Sequence, residues 1–391
     1  MQTAQASGHA APAARERPAS VRALFDVRRT ADFDFASGEY KELFDRSEAT
    51  AFQHPTWLTS LYGRLAPQLD ARPAVVTVRA KSDGRLVLVL PLLERRYGPF
   101  RIADYADLNV SDYSAPIYDR VALPAMLRDT ATLKGLRREL AAFDVVRARK
   151  CRADGLFPMD ILGSKTSMGF HAHAMPIRKP FDAWRAEALD AQFVRFLDKK
   201  RRLLGKKGHV AFAEVTSPEA IADAFDRMRA FRKSRFEGTD LLQQPSYFDF
   251  YVDVATRGVE TGLCRTCVLS LDGKPLAGIF GLAHRQRFMF LLVGFDFGGY
   301  RNASLGLLVL EDLMRDCIER GDTTFDLTIG DEPYKKQFAA QPTPMFVQWR
   351  GSGPAGILAG AAMRGALYAR STVKEFKRRR AEKNPASPPA A

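Results

Sequence analysis

YRNASLGLLVLEDLMRDCIERGDTTFDLTIGDEPYKKQFA, residues 300–339, is the stretch on which the reading of this chain turns. A short polar loop opens into a helix. Ser304 stands where an N-cap belongs, because its hydroxyl can accept from first-turn N–H groups. Leu307, Leu310, Met314, Cys317 and Ile318 recur at helical spacing and predict one buried face. Gly321 marks the stop, where a C-cap favours positive φ. Thr323, Phe325, Leu327 and Ile329 alternate as a strand does. The strand runs into a polar knot, Gly-Asp-Glu-Pro-Tyr-Lys-Lys, at 330–336. A loop feeding a helix start is also an anion site, since unpaired N–H groups and the helix dipole both favour phosphate. Gly306 in the first turn leaves room for close approach of a ligand. An ordinary helix packed on a sheet is the alternative that local pattern leaves open.

Working outward, strands are expected at 23–30, 73–80, 85–95, 101–105 and 143–149, with helices at 37–47, 55–65 and 123–142. Residues 151–180 read as irregular. The second half repeats the plan. Strands fall at 209–215, 264–271, 274–283 and 287–296, helices at 218–234 and 245–257, and a last strand at 344–350. Each half reads β-α-α-β-β-β-α-β. Asp-Gly turns at 83–84 and 272–273 sit at matching places. The order of elements argues for an internal duplication. The fold class is therefore mixed α/β, in two tandem modules with mostly antiparallel central sheets. The expected divisions are a disordered tail at 1–21, a first module at 22–180, a second at 181–352 and an apolar, basic tail at 353–391.

Composition narrows the function. Net charge is +14, but twelve of those charges lie in two segments. Residues 195–207 carry seven basic side chains against one acidic, and 364–391 carry eight against two. The remainder is near neutral, which argues against a protein-wide nucleic-acid surface. The stripe Arg195, Lys199, Arg202 and Lys206 lies opposite Phe193, Phe196, Leu197 and Leu204. It reads as a solvated helix face or as a grip on an anionic partner. The segment 364–380 reads as a solvated helix end or as a contact with an anionic membrane surface. No apolar run approaches the length of a membrane span, and no secretory signal precedes the body, so the cytoplasm is the expected location. Cys264 and Cys267 form a lone CxxC in a strand, where residues three apart face opposite ways. No metal site is expected there. His171 and His173 share one side of an extended segment and read as surface or linker.

At these residues a resemblance emerges. GFDFGGYRNASLGLLVLEDLMRDCIERGDTTFDLTIGDEPYKKQFA, with FQHPTWLTSLY and LVLVLPLLERRYGPFRIADYADLNVSDY, resembles the GNAT acyltransferase fold. The likeness covers about residues 22–350. It is nearest the tandem-module branch identified with cellulose biosynthesis (CelD-like) and more distant from the FemABX transferases. The resemblance implies an acyl-CoA co-substrate, most simply acetyl-CoA, with its pantetheine between two splaying strands, Phe288–Phe295 and Thr323–Ile329. It implies that Arg301, Asn302, Ser304, Leu305 and Gly306 hold the pyrophosphate, with Val293 in the strand wall. Ser304 departs from the glycine of the wider pattern. Tyr334 takes the place of the acid, Asp331 and Glu332 are candidates for the base or the amine grip, and Lys335 for neutralising a phosphate or carboxylate. Asp112 and Tyr113 are candidate substrate residues in a cleft between modules. The implied reaction is N-acyl transfer to a small-molecule or glycan-precursor amine. The alternatives are an aminoacyl transfer from charged tRNA, for which the interval 215–264 is short, and a non-catalytic accessory role in polysaccharide synthesis.

Overall fold

The computed structural model describes residues 23–236, 240–366 and 369. The expected tail at 1–21 and the basic run beyond Arg370 lie outside them. The first half comprises Phe25–Thr30 (β1), Gly38–Arg46 (α1), Pro55–Ser60 (α2), Ala66–Gln68 (α3), Arg72–Pro73 (β2), Val75–Ala80 (β3), Leu86–Leu90 (β4), Leu92–Tyr97 (β5), Phe100–Tyr105 (β6), Ile117–Tyr118 (β7), Leu123–Arg128 (α4), Thr130–Leu140 (α5), Val145–Cys151 (β8) and Met159–Leu162 (α6). A long strand, Ser164–Pro176 (β9), follows. The second half comprises Phe181–Ala188 (α7), Ala191–Gly205 (α8), Val210–Val215 (β10), Pro218–Phe236 (α9), Pro245–Glu260 (α10), Cys264–Leu271 (β11), Lys274–His284 (β12), Arg287–Phe295 (β13), Leu305–Arg320 (α11), Thr324–Ile329 (β14), Pro333–Gln337 (α12) and Gln341–Gly351 (β15). A helix at 353–366 ends the described chain, and no described helix is long and apolar enough to cross a membrane.

The tandem α/β plan is present, with three corrections. The strand expected over 85–95 breaks at Pro91, which has no N–H for a ladder, and its two pieces join different sheets. The helix expected over 123–142 breaks at Asp129, whose side chain accepts from Ala131 N and caps α5. The largest correction is β9, in the segment read as irregular. It lies between β14 and β15 in a sheet ordered β10-β11-β12-β13-β14-β9-β15-β8-β6-β5-β2. Each half has therefore given a strand to its neighbour. β9, from the end of the first half, pairs with β14 of the second, and β15, from the end of the second, pairs with β8 of the first.

Both halves contain a pair of parallel strands that separate. β13 and β14 are in register only from Arg287↔Thr324 to Met289↔Asp326. β6 and β8 are in register only from Ile102↔Val145 to Asp104↔Arg147. Shortly beyond each last pair a buried residue takes a left-handed conformation, Thr328 at φ 54° and Lys150 at φ 54°. Such φ values are uncommon outside glycine.

The cores explain how the halves lock together. On one face of the sheet, α11 packs beneath α7 and α8. Leu310, Met314, Cys317 and Ile318 are buried as expected, whereas Leu307 is only partly buried. So are Glu311 and Asp312, because Arg185 and Arg201 of the covering helices pair with them. On the other face α2 meets α10 across the halves. Trp57 stands edge-on to Phe250 at 5.1 Å, and Ser60 Oγ donates to Asp253 at 2.7 Å. Cys264 sits in this second core and Cys267 in the first, so the CxxC pair does straddle the sheet.

Helix α9 comes closest to the sheet over a cross-strand glycine pair, Gly278↔Gly294. A Cβ on Gly294 would lie 2.6 Å from the Met228 carbonyl oxygen and 2.8 Å from its Cα. Those atoms are backbone and cannot rotate away. Gly294→Ala is therefore expected to destabilise the protein by about 1–3 kcal/mol through overpacking, read as a lower urea midpoint. An unchanged midpoint would mean that α9 is free to lift from β13.

Candidate active site

The splay between β13 and β14 opens beside the start of α11. Ser304 holds the N-cap position, but at φ 52° and without a side-chain capping bond, which corrects the expected hydroxyl cap. Its carbonyl takes the N–H groups of Leu307 and Leu308. The N–H groups of Leu305 and Gly306 therefore point out of the first turn, as at any helix start that lacks a side-chain cap. Basic side chains border the loop. Lys200 Nζ donates to Asn302 O at 2.6 Å, Lys207 lies 5.0 Å from the Tyr300 ring centre, and Arg301 lies 5.4 Å from that of Phe297. The arrangement of outward N–H groups and nearby cations fits a pyrophosphate. Gly306 has a packing role besides. A Cβ there would lie 2.8 Å from Phe295 Cε1, so its smallness accommodates that ring. Val293 lies on β13 past the last parallel pair, and its carbonyl accepts from Arg232 at 2.8 Å.

The left-handed turn at Thr328 reorganises the end of β14. Phe325 and Leu327 enter the core beneath α11, whereas Ile329 packs into the opposite core, so the expected alternation fails at Thr328. Thr328 N donates to Asp326 Oδ1 at 2.8 Å, and its hydroxyl to Phe290 O at 3.1 Å. Lys335 is corrected outright. It is buried, and its Nζ donates to Thr328 O at 3.2 Å and Ile329 O at 2.9 Å while pairing with Glu332 at 3.1 Å. Its charge secures the end of the strand and is not offered to a ligand. Glu332 is half exposed, and Tyr334 is partly buried against the α11 core.

Asp331 has partners that sequence reading missed. His171 Nδ1 lies 3.0 Å and His173 Nε2 3.1 Å from the same oxygen, Oδ1. Burial works to raise the Asp331 pKa, but the two imidazole hydrogen bonds outweigh it and hold the carboxyl below its usual range. Asp331 is therefore a weak proton acceptor. His173 is buried, which overturns the surface reading. Only the paired spacing 171/173 signalled this, because the shared partner lies some 160 residues away.

From the opposite face the first half reaches the same strand. Tyr113 donates to Asp326 Oδ1 at 2.7 Å, and Arg287 Nη1 to Oδ2 at 3.0 Å. Burial, then the charge of Asp326, pushes the Tyr113 phenol well up. Asp112 is half-buried near the Thr328 side chain. Burial raises its pKa, and Lys150 only partly opposes this. Beside Tyr113 a cleft of ≈ 390 Å³ opens between the halves, lined by Arg152, His284, Arg287 and Met289 among others. Tyr113 lines the cleft while its hydroxyl is committed to Asp326, and Asp112 is not among the lining residues. Among the described residues no cluster of three or more His, Cys, Asp or Glu could hold a metal.

Residues 191–336, from the start of α8 into α12, match the family model described as an acetyltransferase (GNAT) domain. A comparison with curated proteins by sequence yields no match. Among solved structures, that of FemX is similar at 13% identity, covering 82% of this chain and 96% of that one, with a TM-score of 0.55. L-PGS from Bacillus licheniformis is similar at 12% identity, covering 83% of this chain and 96% of that one, with a TM-score of 0.51. At these identities the structures share the fold. The chain thus has a mixed α/β fold of two GNAT-like modules, and the acetyltransferase (GNAT) match over residues 191–336 supports a transferase.

Proposed function

We propose that the chain is an acyl-CoA-dependent N-acyltransferase, with acetyl-CoA as the simplest donor. The observation that carries this reading is the separation of β13 from β14 beyond Met289 and Asp326, beside the uncapped start of α11. Loop residues Arg301, Asn302, Ser304, Leu305 and Gly306 would hold the pyrophosphate, with Lys200 and Lys207 beside them and Val293 in the strand wall. The bound donor supplies an activated thioester. Tyr334, just past β14, is the proposed proton donor to the leaving thiolate. Glu332 is exposed enough to grip an incoming amine. Asp112 reaches the splay from the first half and is assigned to the acceptor side.

The proposed acceptor is an amine on a sugar or another envelope or exopolysaccharide intermediate, in keeping with the CelD-like resemblance. The first module serves as scaffold and acceptor wall. A cytoplasmic location is proposed, with peripheral contact to an anionic membrane through 364–380. Aminoacyl transfer from tRNA ranks lower, because α9 and α10 occupy the interval 215–264 and leave no length for an added helical hairpin.

Ligands that bind only the folded state raise its stability by mass action. Thermal-shift titration with acetyl-CoA is expected to raise Tm by several degrees at saturation. The double variant K200E/K207E is expected to need at least tenfold more ligand for the same shift. No shift with acetyl-CoA or longer acyl-CoAs, together with transfer from an aminoacyl-tRNA, would replace this reading with the lower-ranked one.

A further inference from the structure

Asp331 lies two residues past the end of β14 and takes two imidazoles on one oxygen. Asp331 is ionised at neutral pH, and an ionised carboxylate only accepts hydrogen bonds. Both nitrogens facing it must therefore carry hydrogen, which sets the tautomer of each ring in its neutral form. His171 is protonated on Nδ1, so its Nε2 bears the lone pair. His173 is protonated on Nε2, so its Nδ1 bears the lone pair. His173 Nδ1 is buried without a hydrogen-bond partner. That ring is more than nine-tenths enclosed. His171 differs, with a side chain 40% exposed. Its ring is aimed by Asp331, its backbone carbonyl is tied to Gly330 N at 2.9 Å, and its basic nitrogen is left to solvent. Asp331 and His173 lie beside it, and β15 presents prolines 342 and 344 in register alongside.

We propose that His171 is the general base of the transfer, acting through Nε2, with Asp331 and His173 as its positioning residues. This rests on the N-acyltransferase reading. It reassigns Asp331, which is held too acidic to take the proton itself, from base to orienting carboxylate. In the step, the amine nitrogen forms a bond to the thioester carbonyl carbon and the carbon–sulfur bond breaks. The surplus amine proton passes to His171 Nε2, the thiolate takes a proton from Tyr334, and the imidazolium proton returns to Tyr334 through solvent. A neutral imidazole oriented by a carboxylate is the usual arrangement for such a base.

Two measurements on the full-length protein test it. Long-range proton–nitrogen NMR on wild type at pH 8 is expected to show His171 protonated on Nδ1 and His173 on Nε2. D331N is expected to return His171 to the Nε2-protonated form favoured by free imidazole. Thiol release from acetyl-CoA is expected to fall on the order of 100-fold or more in H171Q, with the acid limb of its pH profile gone and the acetyl-CoA thermal shift retained. An Nε2-protonated His171 in wild type, or an H171Q variant that keeps both rate and acid limb, would overturn the assignment. A wild type that shows neither shift nor thiol release with any acyl-CoA would instead sink the transferase reading, whatever tautomers the spectra give.

Discussion

Replacing Asp326 with alanine is expected to lower the free energy of unfolding by about 3–5 kcal/mol, the usual cost of removing one partner from a buried charged pair. Asp326 is completely buried. It receives Tyr113 from the first half, Arg287 from β13 and the Thr328 amide from its own strand. Alanine would strand all three. Arg287 is 30% exposed and can recover some hydration, whereas the Tyr113 hydroxyl lies between the halves and cannot. Urea unfolding of D326A, Y113F and the double variant would measure the coupling. Y113F alone is expected to cost about 1–2 kcal/mol, and the double variant little more than D326A. Additive losses would show that the phenol and the carboxylate do not act as one unit. The loss should extend to turnover, since Asp326 also holds the Thr328 turn at the splay.

Acidification is expected to produce the other large effect. His54 and His284 lie at the contact between halves, with Phe44 packed on both. Burial lowers each pKa from 6.5 to about 4. At His284 the charge of Arg285 adds to burial, while at His54 Asp45 opposes burial and Lys41 adds to it. The folded state thus binds fewer protons than the unfolded chain between those values. Stability is full above pH 6.5 and is lost as pH falls toward 4. Allowing for partial exposure, each imidazole contributes about 2–3 kcal/mol to that loss. His54 has a further reason to stay neutral, since its Nδ1 accepts from Thr56 N at 3.2 Å and caps α2. Tm measured from pH 7 to 4 should fall steeply in wild type. It should fall less in H54N, which retains a side-chain acceptor for the cap. Equal slopes would place the acid sensitivity elsewhere.

The parts of the fold legible in the sequence are those whose signal is local. Helix α11 is specified by its periodic apolar residues and by Gly321, which takes φ 92° at the C-cap. The duplication was legible because the order of elements survives divergence. Strand β9 was not, because the alternation of Met168, Phe170, Ala172 and Ala174 with Gly169, His171 and His173 is carried largely by poor strand formers and the segment ends in Pro. It forms because a partner strand lies on each side of it. For the same reason His171 and His173 looked unpartnered. Lys335 read as an available cation because nothing local reveals the turn at Thr328 that presents two carbonyls to it. Glu311 and Asp312 sit in an apolar helix, and only the arginines of α7 and α8 make their burial tolerable.

The exchanged strands bear on how the molecule is made. β8 leaves the ribosome well before β15, the neighbour with which it pairs on its open side. The first half therefore emerges with an open hydrogen-bonding edge that persists until residues 341–351 are available. A break between the halves would separate β9 and β15 from the sheets they complete, so the duplicated units, though alike in plan, cannot be inherited or cut apart as independent parts.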